Sequence, residues 1–225
     1  MIIAIDGTVS SGKSTAARNV ARELGLLYIN TGLMYRGVAA YCLREKIDTN
    51  DFEKVAEAAK DLKIDLVSRE DGQHVLVNGA DLTAEAKGPG ITTAVSDVAD
   101  NVKVRERLVA EQRRLGMEAR PGAVMEGRDI GSVVFPDADI KFFITAPAEV
   151  RAHRRYLEFL ENGKSVPEET VLAQVLERDK RDRKRPVGAL VKMPGAVELD
   201  TGDLTREEVT ECMVREIRAR INCGD

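Results

Sequence analysis

Residues 7 to 14 read Gly-Thr-Val-Ser-Ser-Gly-Lys-Ser, a G-x-x-x-x-G-K-[ST] spacing whose fixed positions each answer a need of a bound polyphosphate. Gly7 and Gly12 keep side chains out of the turn, so its backbone N–H groups and the positive end of a following helix can converge on a β-phosphate. Lys13 brings a cation between the β- and γ-phosphates, and the Ser14 hydroxyl stands where it can ligate Mg²⁺. Thr8, Val9, Ser10, Ser11 and Thr15 complete the cradle, so residues 7–15 are the expected ATP site of a P-loop protein, with Mg²⁺ accompanying the nucleotide.

Phosphoryl transfer asks a protein for position and for positive charge around the moving group. Residues 177 to 185 read Glu-Arg-Asp-Lys-Arg-Asp-Arg-Lys-Arg, at the end of a helical pattern whose apolar positions include Val171, Leu172, Val175 and Leu176. At the helical period Arg178, Arg181, Asp182 and Arg185 share one face, while Lys180, Arg183 and Lys184 point away. Such a face can be simply solvated and held by i,i+4 ion pairs. The use of Arg over Lys favours bidentate phosphate contact, and Pro186 and Gly188 supply a stop or hinge after it. Asn30-Thr31-Gly32-Leu33-Met34-Tyr35-Arg36 and Glu126-Gly127-Arg128-Asp129 follow predicted strands. Taken singly, Arg36 or Arg128 reads as a surface arginine. At carboxyl ends of strands beside the P-loop, where open α/β sheets bind ligands, they read as phosphate contacts. Lys13, Arg128, Arg178, Arg181 and Arg185 are therefore the expected catalytic cations.

These side chains need a sheet to carry them. Apolar runs at 1–5, 26–29, 123–125, 140–144 and 197–199 alternate with helical stretches, the pattern of a five-stranded parallel sheet in a three-layer α/β fold. The first run leads through the loop into an amphipathic helix marked by Ala16, Ala17, Val20, Ala21 and Leu24 and stopped by Gly25. One segment breaks the alternation: 64–68 and 74–77, with an Asp71-Gly72 turn between them and Asn78-Gly79 after them, read as antiparallel hairpin material. A small β insertion over about 62–90 follows, with Lys87-Gly88-Pro89-Gly90 as its connector.

At 225 residues the chain suits one α/β core with accessory segments. A hydrophobic fraction of 43% excludes dominant disorder, and with no Trp and 4% aromatics the core must be aliphatic. The net charge of -4 argues against a surface for a nucleic-acid polymer. Cys42, Cys212 and Cys223 lack disulfide or zinc spacing, and no run has the length of a signal peptide or membrane span. A cytoplasmic protein is expected. A GTPase-type switch is an alternative, but there is no D-x-x-G, no Asn followed by Lys, and the hydrophobic run at 123–125 ends in Glu126-Gly127-Arg128-Asp129 where an ATP-driven motor would usually have Asp. A kinase for a small acceptor fits better.

On these residues the chain resembles the bacterial cytidylate kinases, which phosphorylate CMP and dCMP with ATP. The resemblance covers essentially the whole length. It rests on the P-loop, Thr31 to Arg36, the spacing of Ser96 and Arg105, the Gly127 to Ala138 block, Arg151-Ala152-His153-Arg154-Arg155, and Glu177 to Asp182. It implies a core over 1–35, 105–155 and 190–225, a nucleoside-monophosphate-binding region over about 36–104, and an Arg-rich lid over about 156–189. It also implies that Ser96, Arg105 and Asp129 read cytosine, whose exocyclic amine suits a carboxylate and whose ring acceptors suit Arg and Ser. Tyr35, Arg36, Arg128 and Arg185 would hold the acceptor phosphate, Arg178 and Asp182 the sugar hydroxyls, and Arg181 would belong to the lid. Thr31 keeps the hydroxyl of a position that is often Ser in the family. Thr8 stands where the family often has Pro, and Ser14 where some members have Gly. A monomer is expected from the resemblance, and a UMP/CMP-type kinase is the nearest rival.

Overall fold

The computed structural model describes residues 1–88, 90–161 and 163–222. The chain divides into two compact units, one made of Met1–Tyr28 with the chain from Glu118 onward and the other of Ile29–Met117.

The first unit is built on a parallel sheet of five strands, β1 (Ile2–Gly7), β2 (Leu27–Asn30), β6 (Ala123–Gly127), β7 (Ile140–Thr145) and β8 (Val197–Asp200), in the order β2-β6-β1-β7-β8. β1 is central and pairs in parallel with β6, Ile3 opposite Val124, and with β7, Ile5 opposite Phe142. A strand paired on both edges and covered on both faces has no wet side, so its sequence is apolar up to Asp6. Ala17 and Val20 of α1 (Lys13–Leu24) and Met213 and Ile217 of α8 (Arg206–Asn222) pack with Ile3, Ile5, Val124, Phe142 and Ile144 in one cluster. α6 (Ala148–Glu161) and α7 (Glu168–Lys184) pack on each other, and Ala152, Val171 and Val175 bury against Val9 of the P-loop. All five expected strands are present, each within two residues of its expected ends.

The second unit holds α2 (Thr31–Arg44), α3 (Phe52–Lys60), an antiparallel sheet of β3 (Ile64–Arg69), β4 (Gly72–Val77) and β5 (Ala80–Asp81), then α4 (Ile91–Asp100) and α5 (Val102–Glu118). The Asn78-Gly79 turn occurs as expected, while the first turn falls one residue earlier than Asp71-Gly72, at Glu70-Asp71, because Gly72 already pairs with Arg69 in the ladder. Asn78 and Gly79 have φ of 51° and 80°, the double left-handed conformation of a tight hairpin that matches strand twist. The apolar faces of α2, α4 and α5 close over Val75 and Val77. Of the connector, residues 85–87 form a short 3-10 turn, while Pro89 lies outside the described residues. Cys42 and Cys212 are free thiols, and Cys223 also lies outside the described residues. Among the described residues no helix is long and apolar enough to cross a membrane.

Candidate active site

The phosphate loop runs from the end of β1 into the first turn of α1. Gly7 is required by close approach: a Cβ there would lie 2.0 Å from the Ile144 carbonyl oxygen. The turn places Ser10 and Gly12 at φ of 56° and 82°. Its carbonyls are held by side chains. Thr8 O accepts from Lys13 Nζ at 2.8 Å and from Ser11 Oγ at 2.9 Å. Val9 O accepts from Arg151 Nη1 at 3.2 Å, and Ser11 O from Thr201 Oγ1 at 2.9 Å. In a trans peptide the C=O and the following N–H point in opposite directions. Fixing the Thr8, Val9 and Ser11 carbonyls therefore turns the N–H groups of Val9, Ser10 and Gly12 the other way, an arrangement that suits an anion.

Lys13 is buried, and burial, reinforced by the positive charge of Arg128, lowers its ammonium to about 7. Glu126 and Asp182 oppose that shift and Arg178 adds to it, so the loop lysine and the arginine cluster feel one another's charge. Ser14 and Thr15 are half-buried on the first turn of α1. Among the described residues no cluster of three or more His, Cys, Asp or Glu could hold a metal ion. Mg²⁺ in kinase sites keeps several waters and takes one or two protein oxygens together with substrate phosphates. A lone Ser14 hydroxyl beside the loop fits a cation that arrives on the nucleotide.

Arg128 and two of the arginines expected on α7, Arg178 and Arg185, gather around a carboxylate of the same helix. Asp182 Oδ2 accepts from Arg128 Nε at 2.7 Å, and its Oδ1 from Arg185 Nη2 at 2.8 Å. Burial alone would raise the Asp182 pKa; the guanidiniums of Arg128, Arg185 and Arg178 overcome it and hold the carboxylate at about 2. Arg128 also donates Nη1 to the Gly127 carbonyl at 3.1 Å. Its Nη2 has no partner among the described residues. Arg178 and Arg181 are half-buried on α7, and Arg185 caps its C-terminus. The helical face is as expected apart from Leu176, which is 51% exposed; Val171 and Val175 are buried against Val9 and Ala152 with Leu172 partly buried beside them, and the position after Val175 turns outward. Asp129 is buried where the chain leaves β6, immediately before a π-helical turn over Ile130–Val134.

In the second unit, Asn30 caps α2 by accepting from Leu33 N at 3.0 Å, which sets Thr31, Tyr35 and Arg36 on the first turns. Arg105 is buried, with its guanidinium 5.4 Å from the Tyr35 ring centre, within cation–π range, and it donates Nη1 to the Ala99 carbonyl at 3.0 Å. Arg36 donates to the Ala86 carbonyl at 3.2 Å. The half-buried Ser96 bonds back to the Thr92 carbonyl at 3.1 Å. The structure thus unites Tyr35 with Arg105, and Arg128 with Asp182 and Arg185. Ser96 contacts none of the other expected base readers of its unit by hydrogen bond.

Several residues that brace the site escape sequence reasoning. Asp6 accepts from the N–H groups of Ile130 and Gly131 at 2.7 and 2.8 Å. Burial, against the effect of those two donors, raises it to about 6. It ties the end of β1 to the turn that follows Asp129; a carboxylate ending an apolar run just before the P-loop was its only sequence signal. Glu126 is buried and accepts from Tyr28 Oη at 3.1 Å. Arg154 donates to the Thr201 carbonyl at 2.6 Å, bracing the residue that holds Ser11 O. Arg151 and Asp179 form a buried pair at 2.7 Å, with no signal beyond their presence in arginine-rich blocks.

Comparison with known proteins finds relatives over nearly the whole chain. The family model described as cytidylate kinase matches residues 3–219. The cytidylate kinase of Bacillus subtilis (strain 168) is 41% identical over 218 residues, which span 97% of this chain and 96% of that protein. The cytidylate kinase of Caldanaerobacter subterraneus subsp. tengcongensis is 44% identical over 216 residues, 96% of this chain and 94% of the relative. Among solved structures, an uncharacterized protein from Eubacterium ventriosum aligns at a TM-score of 0.53 and 16% identity over 97% of this chain and 98% of its own, a likeness of fold alone. With a match over nearly its whole length and relatives above 40% identity, the chain belongs to the cytidylate kinase family.

Proposed function

We propose that this chain transfers the γ-phosphoryl group of ATP to the 5′-phosphate of CMP or dCMP, giving ADP and CDP or dCDP. The observation that carries the reading is the coupling of Lys13 to a guanidinium cluster in the same unit, where Arg128 keeps one Nη2 unspent. A donor cradle with a neighbouring, preorganised set of arginines suits transfer between two phosphates, because such arginines stabilise the charge that spreads over the moving group. No general base is needed, since the acceptor phosphate is already an anion near neutral pH.

In this reading residues 7–15 bind ATP, and Lys13 balances charge between its β- and γ-phosphates. Mg²⁺ bound to ATP and to Ser14 would neutralise phosphate charge and orient the chain of phosphates. Tyr35, Arg36, Arg128 and Arg185 hold the acceptor phosphate, Arg178 and Asp182 the sugar hydroxyls, and Ser96, Arg105 and Asp129 the base, with Thr31 lining the same acceptor. Arg181 serves the lid. The reading includes a cytoplasmic monomer with a core over 1–35, 105–155 and 190–225, an acceptor region over about 36–104, and a lid over about 156–189.

The test is ADP release followed by a coupled assay with CMP, dCMP, UMP, AMP and shikimate as acceptors. CMP and dCMP are expected to stimulate release most, and Asp129→Ala to lower kcat/KM for CMP by roughly 10- to 100-fold, the loss of a hydrogen bond to a charged group. Faster turnover of UMP than CMP would favour a UMP/CMP-type kinase. Nucleotide binding with no acceptor stimulating release would refute the kinase reading in favour of a switch.

A further inference from the structure

We propose that the buried Arg151–Asp179 pair is a positioning device that sets the Val9–Ser10 peptide of the phosphate loop from helix α7. Arg151 lies on the first turn of α6 and spends its guanidinium three ways: Nε on the Ala146 carbonyl at 2.8 Å, Nη1 on the Val9 carbonyl at 3.2 Å, and Nη2 on Asp179 Oδ2 at 2.7 Å. One rigid, planar fork therefore spans the loop after β7, the phosphate loop and α7. Val9 is held at both ends, because its side chain packs with Ala152, Val171 and Val175 from the same two helices. With the Val9 carbonyl pinned to Arg151, the Ser10 N–H must point to the opposite side, the side on which a phosphate oxygen would sit.

A second observation favours positioning over stability. Asp179 Oδ1 is buried and has no hydrogen-bond partner among the described residues. A buried ion pair with an unsatisfied oxygen is a poor stabiliser, and apolar residues of similar volume commonly replace such pairs at no cost. Asp179 also follows Arg178 and stands one turn before Asp182 on α7, so the residue that orients the donor loop shares a turn with the acceptor-side carboxylate.

The inference rests on the kinase reading, and its decisive measurement is ATP affinity. Calorimetry of the whole protein with Mg·ATP and, separately, with CMP would be run on Asp179→Asn, Arg151→Lys and the double variant Arg151→Met with Asp179→Leu, each with its Tm. The double variant restores apolar packing but leaves the Val9 and Ala146 carbonyls without the Arg151 donor. We expect the double variant to fold with a Tm several degrees below wild type, CMP affinity within twofold, ATP affinity lowered roughly tenfold, and kcat lowered with it. CMP affinity is retained because Asp182 keeps Arg128 and Arg185. Wild-type ATP affinity in a folded double variant would overturn the inference, as would equal losses for ATP and CMP in every variant that folds. A wild-type chain that bound ATP but left CMP unphosphorylated would sink the kinase reading alone, with the ATP comparison still deciding this one.

Discussion

Asp182→Asn isolates the charge that holds the arginine cluster. The carboxylate is 4% exposed and accepts from Arg128 at 2.7 Å and Arg185 at 2.8 Å. Its pKa is held near 2, against an ordinary value of 3.8. At about 1.4 kcal/mol per unit, that shift corresponds to about 2–3 kcal/mol of folding stability at neutral pH. An asparagine keeps the volume and one acceptor but loses the charge, so about 2–3 kcal/mol is the expected loss. Asp182→Ala removes the carboxylate that both guanidiniums share and should cost about 3–5 kcal/mol. For a chain of this size each kcal/mol moves Tm by about 2–4 °C, which places Asp182→Asn about 5–10 °C below wild type at pH 7 by circular dichroism. Because the folded pKa lies below the unfolded one, the contribution is full above about pH 4 and is lost as pH falls through about 2. The gap between wild type and Asp182→Asn must therefore close in acid. A gap under 1 °C at pH 7, or one that persists undiminished near pH 2, would refute the reasoning.

Two further expectations follow from the loop. With its ammonium lowered to about 7, Lys13 is about nine-tenths neutral at pH 8 in the nucleotide-free chain, and phosphates beside it must restore the proton. Calorimetry of Mg·ATP binding at pH 8 in buffers of different ionisation enthalpy should therefore show uptake of nearly one proton, absent in Lys13→Met; no uptake in wild type would show that the lysine is already charged. Gly7→Ala drives a methyl to 2.0 Å from the Ile144 carbonyl, which the β1–β7 pairing cannot relieve by a side-chain rotation. Loss of ATP binding with a Tm drop of several degrees is expected, about 1–3 kcal/mol or more of overpacking, and a fully active, wild-type-stable variant would show that the strands separate there.

Much of this molecule is local and therefore legible in the chain. The phosphate loop is a backbone conformation specified by eight consecutive residues, the five strands lie on apolar runs, and the two-sided burial of β1 leaves it no polar interruption until Asp6. The Asn78-Gly79 turn and the arginine face of α7 are readable for the same reason, since left-handed φ values and helical period depend on near neighbours. Leu176 shows the limit even there: period alone left it beside Val175, and which residues of α7 the neighbouring cluster covers decided that it faces water.

Whether a charge is buried, and by what it is held, is a property of partners far away in the chain. Asp6 meets its donors 124 and 125 residues later, Glu126 its tyrosine 98 residues earlier, and Arg151 the Val9 carbonyl across 142 residues. No window of sequence contains both halves of these contacts, and a buried carboxylate or guanidinium is tolerable only where its partner is delivered. The sequence by itself determined the phosphate-loop motif after β1 and the arginine face of α7. Only the tertiary structure decided that Asp182 gathers those arginines, that Asp6 ties β1 to the turn after Asp129, and that Arg151 and Asp179 hold the loop, because desolvation makes each of those charges depend on a neighbour that folding alone supplies.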